Sequence, residues 1–236
     1  MRVLEVWRYP VKSLQGEQVD SAETGTQGLQ GDRAYALFDV ETGFGLTARR
    51  QPQLLFASAR LGEDGSAEIT LPDGSVATDD EALSAWLGRS VVLRSTEEVR
   101  ERRYENPVDF EEETVWEPFS GSNGAFHDSG RVSVSLVSTA TIAGWEPRRF
   151  RSNLLLDGDG EDGLVGSRVR LGDTELDVGM RIERCVMVTR PQPSGIEKNL
   201  DVLRTIHRQR GGELAVGAIV VTPGKVSVGD EIRPTT

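Results

Sequence analysis

Hydrophobic and polar positions alternate in short runs along most of the chain, which is the pattern of half-buried β-strands. The runs at 3–7 and 34–38 are clear examples, and turn signals such as Asp64-Gly65 separate many of the runs. Further strands are predicted at 54–61, 68–71, 91–93, 131–137, 150–156, 168–171, 174–178, 182–188, 215–221 and 225–232. Many short strands joined by tight turns predict a mainly β protein with a few helices, built as a barrel or a sandwich.

Two segments carry helical signals instead. Thr78 and Glu81 have the spacing of a capping box, which places the N-cap at Thr78, and Gly88 ends the apolar stripe that follows. We expect this helix to plug a β-layer. The segment 199–208 also predicts a helix, because its leucines and isoleucine recur roughly on one face.

The stretch 97–117 differs from its surroundings, because it is dominated by acidic residues and has few apolar anchors. We interpret it as a connector between two halves of the chain, although a charged helix inside one domain would have the same composition. The connector interpretation divides the chain into an N-terminal β-barrel-like domain at 1–95, an acidic connector at 96–120 and a second β-domain at 121–236.

The net charge is strongly negative, since 27 Lys and Arg stand against 38 Asp and Glu to give −11. Such a chain is a poor candidate for binding nucleic acid or anionic membranes, because phosphate neutralisation supplies most of that affinity. We find no signal peptide and no run of about 20 apolar residues, so the expected location is the cytoplasm. A single cysteine excludes an internal disulfide, an Fe–S cluster and a multi-cysteine zinc site in this chain.

That cysteine, Cys185, directly follows Arg184. A neighbouring arginine favours the thiolate, which is the form that attacks or binds metal. In a strand, however, Arg184 would point to the opposite face, and a strand cysteine is commonly a small buried hydrophobe. His127 lies in a loop before a strand, where functional side chains are common, whereas His207 fits the surface of the second helix. The glycines of 158–163 match G-x-G-x-x-G, but their acidic neighbours would repel a phosphate and favour a solvated turn.

Positive charge is concentrated at a few places in this acidic chain. Arginines cluster at Arg49-Arg50 and at 148–151, while Lys12 and Arg33 stand alone. These side chains are either solvated surface charge or a local anion pocket, for which the guanidinium fork is suited.

The order of several short motifs resembles the MOSC-domain family, and within it the amidoxime-reducing components and their bacterial relatives. The motifs keep the family's order over almost the whole chain. They are Tyr9-Pro10-Val11-Lys12-Ser13, Gly31-Asp32-Arg33, Leu46-Thr47-Ala48-Arg49, His127-Asp128-Ser129, Arg149-Phe150-Arg151-Ser152-Asn153, Arg184-Cys185 with Thr189 and Pro191, and Val228-Gly229-Asp230. The resemblance implies an N-terminal MOSC β-barrel domain followed by a MOSC β-barrel domain.

The resemblance also implies a site for the molybdenum cofactor, a molybdopterin that carries the metal. In relatives the cysteine matching Cys185 ligates molybdenum, and a thiolate is a soft ligand that suits this metal. The residues implied to hold the cofactor are Lys12, Arg33, Arg49, His127, Asp128, Ser129, Arg151, Asn153 and Cys185. Cys185 and Asp128 are the implied catalytic residues. His127 stands where amidoxime-reducing relatives carry a small polar residue, and we expect this departure to affect access to the metal.

The implied function is an oxidoreductase that uses molybdenum to remove oxygen from a small N-hydroxylated compound. Its electrons would come from a separate protein, such as a ferredoxin- or flavodoxin-like reductase, because one cysteine is too few for a cluster in this chain. Two alternatives stay open, namely a cofactor carrier or sulfur-handling module without turnover, and a metal-free protein in which Cys185 is structural. We further expect Lys12 and Arg49 to face Cys185 across the interface of the two domains.

Overall fold

The computed structural model describes residues 1–109 and 113–235. These residues form a mainly β structure, as predicted, with three α-helices among many short strands. The strands are β1 (Val3–Arg8), β2 (Glu17–Val19), β3 (Ser21–Gly25), β4 (Gly28–Leu29), β5 (Tyr35–Asp39), β6 (Ser58–Leu61), β7 (Ala67–Thr70), β8 (Val76–Ala77), β9 (Val91–Ser95), β10 (Arg103–Pro107), β11 (Trp116–Ser120), β12 (Val134–Ser138), β13 (Leu154–Leu156), β14 (Ser167–Leu171), β15 (Thr174–Glu183), β16 (Glu213–Thr222), β17 (Lys225–Ser227) and β18 (Arg233–Pro234). The α-helices are α1 (Asp80–Leu87), α2 (Thr139–Ile142) and α3 (Leu200–Arg210).

Eight strands form one sheet that is curled into a half-barrel, in the order β18-β14-β15-β16-β12-β13-β1-β2. β12 and β13 run parallel to each other, and every residue of both is buried. Leu136, Leu154 and Leu156 from these strands belong to the core beneath the sheet. Because β1 pairs with β13, the start of the chain is built into the sheet of its second half.

Smaller sheets build much of the N-terminal part. β5 pairs with β9, while β6, β7 and β8 form a three-stranded meander. α1 packs with them over a second core that includes Leu37, Leu54 and Leu83. The helix therefore covers a β-layer, which is the position expected from its apolar stripe.

The N-cap of α1 differs from the sequence prediction by one residue. The Asp79 carboxylate accepts a hydrogen bond from the Ala82 backbone N–H at 2.9 Å, so Asp79 is the cap and the prediction of Thr78 was wrong. Aspartate caps a helix at least as well as threonine, so either side chain suited the position by type. Gly88 ends the helix in the left-handed conformation, as predicted.

The predicted strand at 54–61 is a strand only in its second half. Pro52–Phe56 is a 3₁₀ helix, and β6 begins after it. Proline at the first turn is preorganised for a helical start. Leu54 and Leu55 are both fully buried, which neighbouring residues on a one-sided strand cannot achieve.

The predicted strand at 182–188 also ends early. β15 stops at Glu183, and Val186–Thr189 is a 3₁₀ helix whose N-cap residue is Cys185. The strand rule that would turn Arg184 away from Cys185 therefore does not apply at this junction.

Among the described residues of the acidic stretch, β10 pairs with β11 as a β-hairpin, and the charged-helix alternative is wrong. Tyr104 is only 2% exposed, and its ring lies 6.4 Å from the ring of Phe38 and 5.6 Å from that of Phe119. The contact with Phe38 of β5, which the acidic composition concealed, packs the hairpin against the N-terminal part, whereas the contact with Phe119 joins the hairpin's own two strands. Residues 110–112 of the predicted connector and residue 236 of the predicted second domain lie outside the described residues.

None of the helices in the described ranges has the length and apolar character needed to cross a membrane.

Candidate functional site

One cavity of about 380 Å³ gathers side chains from segments far apart in the sequence. Its wall is built from both halves of the chain, including 12–13, 47–49, 127–135 and 180–188. All nine residues predicted from the sequence as site residues line this cavity: Lys12, Arg33, Arg49, His127, Asp128, Ser129, Arg151, Asn153 and Cys185. The structure thus brings the predicted set together, while the role of each residue stays a prediction.

Arg49 connects three separate segments at this cavity. Its Nε donates to Cys185 Sγ over 3.4 Å, and its Nη2 lies 3.2 Å from Asp128 Oδ2. Its Nη1 donates to Asn106 Oδ1 of the hairpin. Burial alone would lower the Arg49 pKa, but Asp128 and Cys185 outweigh burial and raise it, so the guanidinium stays charged.

Lys12 and Asp128, which both line the cavity, form an ion pair. Lys12 Nζ donates to Asp128 Oδ1 at 2.5 Å and to the Phe126 carbonyl at 3.0 Å. Burial would raise the Asp128 pKa, yet the charges of Lys12 and Arg49 outweigh it and hold that pKa well below its usual range. Burial lowers the Lys12 pKa, and Asp128 opposes part of that effect.

Cys185 carries a free, half-buried thiol at the junction of β15 and the 3₁₀ helix. Its neighbour Arg184 lines the same cavity, and the sequence reasoning missed it. Arg184 Nε donates to the Leu214 carbonyl at 2.7 Å, and its Nη1 donates to the Phe150 carbonyl at 2.9 Å. Burial lowers the Arg184 pKa to about 10. Two backbone carbonyls hold this guanidinium beside the thiol without neutralising its charge.

Asn153 is 2% exposed, and its amide is fully used inside the protein. Oδ1 accepts from the backbone N–H and hydroxyl of Ser135 at 3.1 and 3.0 Å. Nδ2 donates to Asp32 Oδ2 at 3.0 Å and to the Trp7 carbonyl at 3.2 Å. An amide offers two donors and two lone pairs, so these four bonds exhaust it. Asn153 therefore holds the cavity wall in place.

His127 Nε2 lies 3.1 Å from the Gln27 carbonyl. A carbonyl can only accept, so Nε2 carries the proton and Nδ1 is the acceptor of the neutral ring. Burial and the Arg33 charge lower the His127 pKa, which favours that neutral ring. Ser129 Oγ accepts from the Arg131 backbone N–H at 3.2 Å.

The cavity wall concentrates positive charge in a chain whose net charge is −11. Two carboxylates, Asp128 and Glu183, face seven cationic side chains, namely Lys12, Arg33, Arg49, Arg131, Arg149, Arg151 and Arg184. Within residues 1–109 and 113–235, the last four of these arginines form no ion pair with a carboxylate. The cavity is therefore suited to an anionic ligand.

Several polar atoms around the cavity are buried and have no hydrogen-bond partner in the described part of the chain. They are Thr47 Oγ1, Arg151 Nη2 and Arg184 Nη2. Buried donors without partners are rare and point to a ligand or water that completes them. Thr47, Arg149 and Arg184 were missed as wall residues, although each lies within two residues of a predicted one.

Two domain matches identify the family of this chain. Residues 1–99 match the MOSC N-terminal beta barrel domain, and residues 124–233 match the MOSC domain. The chain belongs to the MOSC-domain family, which is associated with molybdenum cofactor binding.

Two named proteins are similar to the chain over nearly its whole length. Molybdenum cofactor sulfurase from Drosophila grimshawi is 24% identical over 246 residues, which cover 93% of this chain but only 32% of the sulfurase. Mitochondrial amidoxime-reducing component 1 from Mus musculus is 23% identical over 287 residues, which cover 98% of this chain and 81% of that protein. The chain thus spans about a third of the length of the first relative. Among solved structures, the YuaD protein from Bacillus subtilis has a TM-score of 0.45 and 15% identity, with 98% of this chain and 93% of that chain covered.

Proposed function

We propose that this chain binds the molybdenum cofactor and acts as a molybdenum-dependent oxidoreductase that reduces small N-hydroxylated compounds. The observation that carries the proposal is a free thiol, Cys185, in a cavity where arginines outnumber the carboxylates that could neutralise them. A soft thiolate and a set of phosphate-binding guanidiniums are the two features that a metal-bearing, phosphorylated pterin requires.

The residues present fit such a group. Arg151 and Arg184 each have a buried Nη2 atom without a partner among the described residues. These two guanidiniums would donate hydrogen bonds to the phosphate. Cys185 would ligate the metal, and Arg49 Nε, which already lies 3.4 Å from Sγ, would stabilise the thiolate charge. Asn153 would not bind the cofactor directly, because its amide has no free donor or acceptor. It would instead keep the cavity wall in the shape that receives the cofactor.

When bound, the cofactor would supply a metal that exchanges electrons and an oxygen atom with the substrate. Reduction of an N–OH group to N–H consumes two electrons and two protons and releases water. We assign proton delivery to Lys12, whose Nζ donates to Asp128 Oδ1 at 2.5 Å at the cavity wall, and we assign to Asp128 the role of orienting that donor. The electrons would come from a separate ferredoxin- or flavodoxin-like protein, since this chain has one cysteine, which would ligate the metal.

The test is to measure molybdenum and pterin in protein produced by a host that loads a control molybdoenzyme. We expect nearly one molybdenum per wild-type chain, a large loss in Cys185→Ser, and no loss in Met187→Leu, which changes another wall residue while conserving its volume. The loaded protein should reduce a benzamidoxime-type substrate with an artificial electron donor, whereas Cys185→Ser should not.

Two results would contradict the proposal in different ways. Pterin without turnover of any N-hydroxylated compound would favour a cofactor carrier or a sulfur-handling module. A wild-type protein with neither molybdenum nor pterin would leave the metal-free alternative, in which Cys185 is structural.

A further inference from the structure

Tyr9 lies next to the cavity but was assigned no role by the sequence, and two cavity arginines meet at its ring. The side chain is 2% exposed. The guanidinium carbon of Arg151 lies 4.3 Å from the ring centroid, and that of Arg33 lies 4.8 Å from it. Contacts of this length are cation–π interactions, which favour a planar guanidinium over an aromatic face.

The backbone at both arginines is in a conformation that ordinary residues avoid. Arg33 has φ of 52° and Arg151 has φ of 51°, both in the left-handed region that favours glycine. Ser13, another wall residue, has φ of 71°. Strained backbone of this kind clusters at ligand sites, where surrounding contacts enforce it.

Further contacts fix the two guanidiniums and leave a donor free. Arg33 Nη1 pairs with Asp32, and its Nη2 donates to the Arg151 carbonyl at 3.0 Å. Arg151 Nη1 donates to the Leu14 carbonyl, while its Nη2 is buried without a partner in the described ranges. Burial and the Arg33 charge lower the Arg151 pKa to about 10. Two like charges are thus held together with one unpaired donor, an arrangement that an anion would complete.

We propose that Tyr9 is a positioning residue that holds Arg33 and Arg151 in place to bind an oxyanion of the phosphate class in the cavity. The inference rests on the proposed function only in requiring an anion at this place. Tyr9 acts through the two arginines, because its ring restricts the rotamers that each guanidinium would otherwise sample. Guanidiniums that are already held in place lose less conformational entropy when the anion binds, so the anion binds more tightly.

The test measures binding of inorganic phosphate to metal-free protein by titration calorimetry in phosphate-free buffer at fixed ionic strength. Tyr9→Phe keeps the aromatic face and should bind within about two-fold of wild type. Tyr9→Leu removes that face and should weaken binding by about five-fold or more, which corresponds to about 1 kcal/mol of cation–π stabilisation. Trp86→Leu in α1 removes an aromatic ring from a helix that does not line the cavity, and should leave the affinity unchanged.

A folded Tyr9→Leu protein that binds phosphate as tightly as wild type would overturn the proposal, and so would a wild-type protein that binds no phosphate. If Tyr9→Leu does not fold, the side-chain NMR signals of Arg33 and Arg151 test whether the Tyr9 ring contacts the two guanidiniums. Ring current should shift their Hδ and Hε signals upfield in wild type and in Tyr9→Phe, and unshifted signals would refute the contact. Molybdenum content, measured in separate cofactor-loaded preparations, tests the proposed function independently, so the two failures are distinguishable.

Discussion

At the scale of single residues, Arg49 joins three separate segments around the cavity. One guanidinium uses each of its three nitrogens on a different segment, namely Cys185, Asp128 and Asn106. Its residue type alone left two interpretations open, namely solvated surface charge or an anion pocket suited to the guanidinium. The contact with Cys185 joins positions 136 residues apart, and no local pattern encodes it.

His127 should make the stability of the protein depend on pH. Its folded-state pKa is lowered by burial and by Arg33, whereas the unfolded chain titrates near the ordinary value of about 6.5. Its contribution to stability is therefore complete above pH of about 6.5 and is lost as the pH falls through the folded-state value. The free energy of unfolding in urea should fall less steeply between pH of about 7 and 5 in His127→Gln than in wild type. His127→Asn should behave like His127→Gln, and parallel pH profiles for all three proteins would refute the prediction.

At the scale of elements, the β10–β11 hairpin shows how composition can conceal structure. Its acidic sequence predicted a connector or a charged helix, yet the hairpin brings Asn106 to Arg49. At its turn, Glu113 binds Arg190 through both carboxylate oxygens at 2.5 Å, and Arg190 also donates to the Arg49 carbonyl at 3.0 Å. The hairpin therefore fixes both the side chain and the backbone of Arg49.

Removing the Glu113 charge should loosen this attachment. The side chain of Arg190 is 9% exposed, so Glu113→Gln leaves a mostly buried cation without a counter-charge. We expect a loss of about 1–3 kcal/mol in the free energy of unfolding, below the range for completely buried pairs because Glu113 is partly exposed. The matched change Glu68→Gln breaks the exposed pair with Arg60 and should cost less than about 0.5 kcal/mol. Equal effects of the two variants would show that the hairpin contact adds no stability.

At the scale of the whole molecule, strands cross between the two parts that the sequence predicted as domains. β1 and β2 join the large sheet beside β13, and β17 pairs with β3. The cavity lies where these parts meet, since its wall takes residues from both. The order of motifs indicated two domains along the chain, but shared strands couple them.

We expect the full chain to unfold in a single cooperative transition because of this shared sheet. In calorimetry the calorimetric and van't Hoff enthalpies should agree. Leu83→Ala in the N-terminal core and Leu154→Ala in the core of the large sheet should each destabilise that one transition by about 2–5 kcal/mol. Two resolved transitions, each affected by only one of the variants, would instead show independent domains.

The sequence by itself determined the mainly β class, the family and the set of candidate residues, because strand periodicity and short ordered motifs are local properties of the chain. It failed where short apolar runs fit a strand and a 3₁₀ helix equally well, as directly after Cys185. Tertiary structure alone decided which polar groups satisfy one another. Packing between distant segments exhausts the Asn153 amide, leaves a donor of Arg151 unpaired and sets two guanidiniums against Tyr9. Those contacts depend on three-dimensional proximity, which residue spacing does not contain.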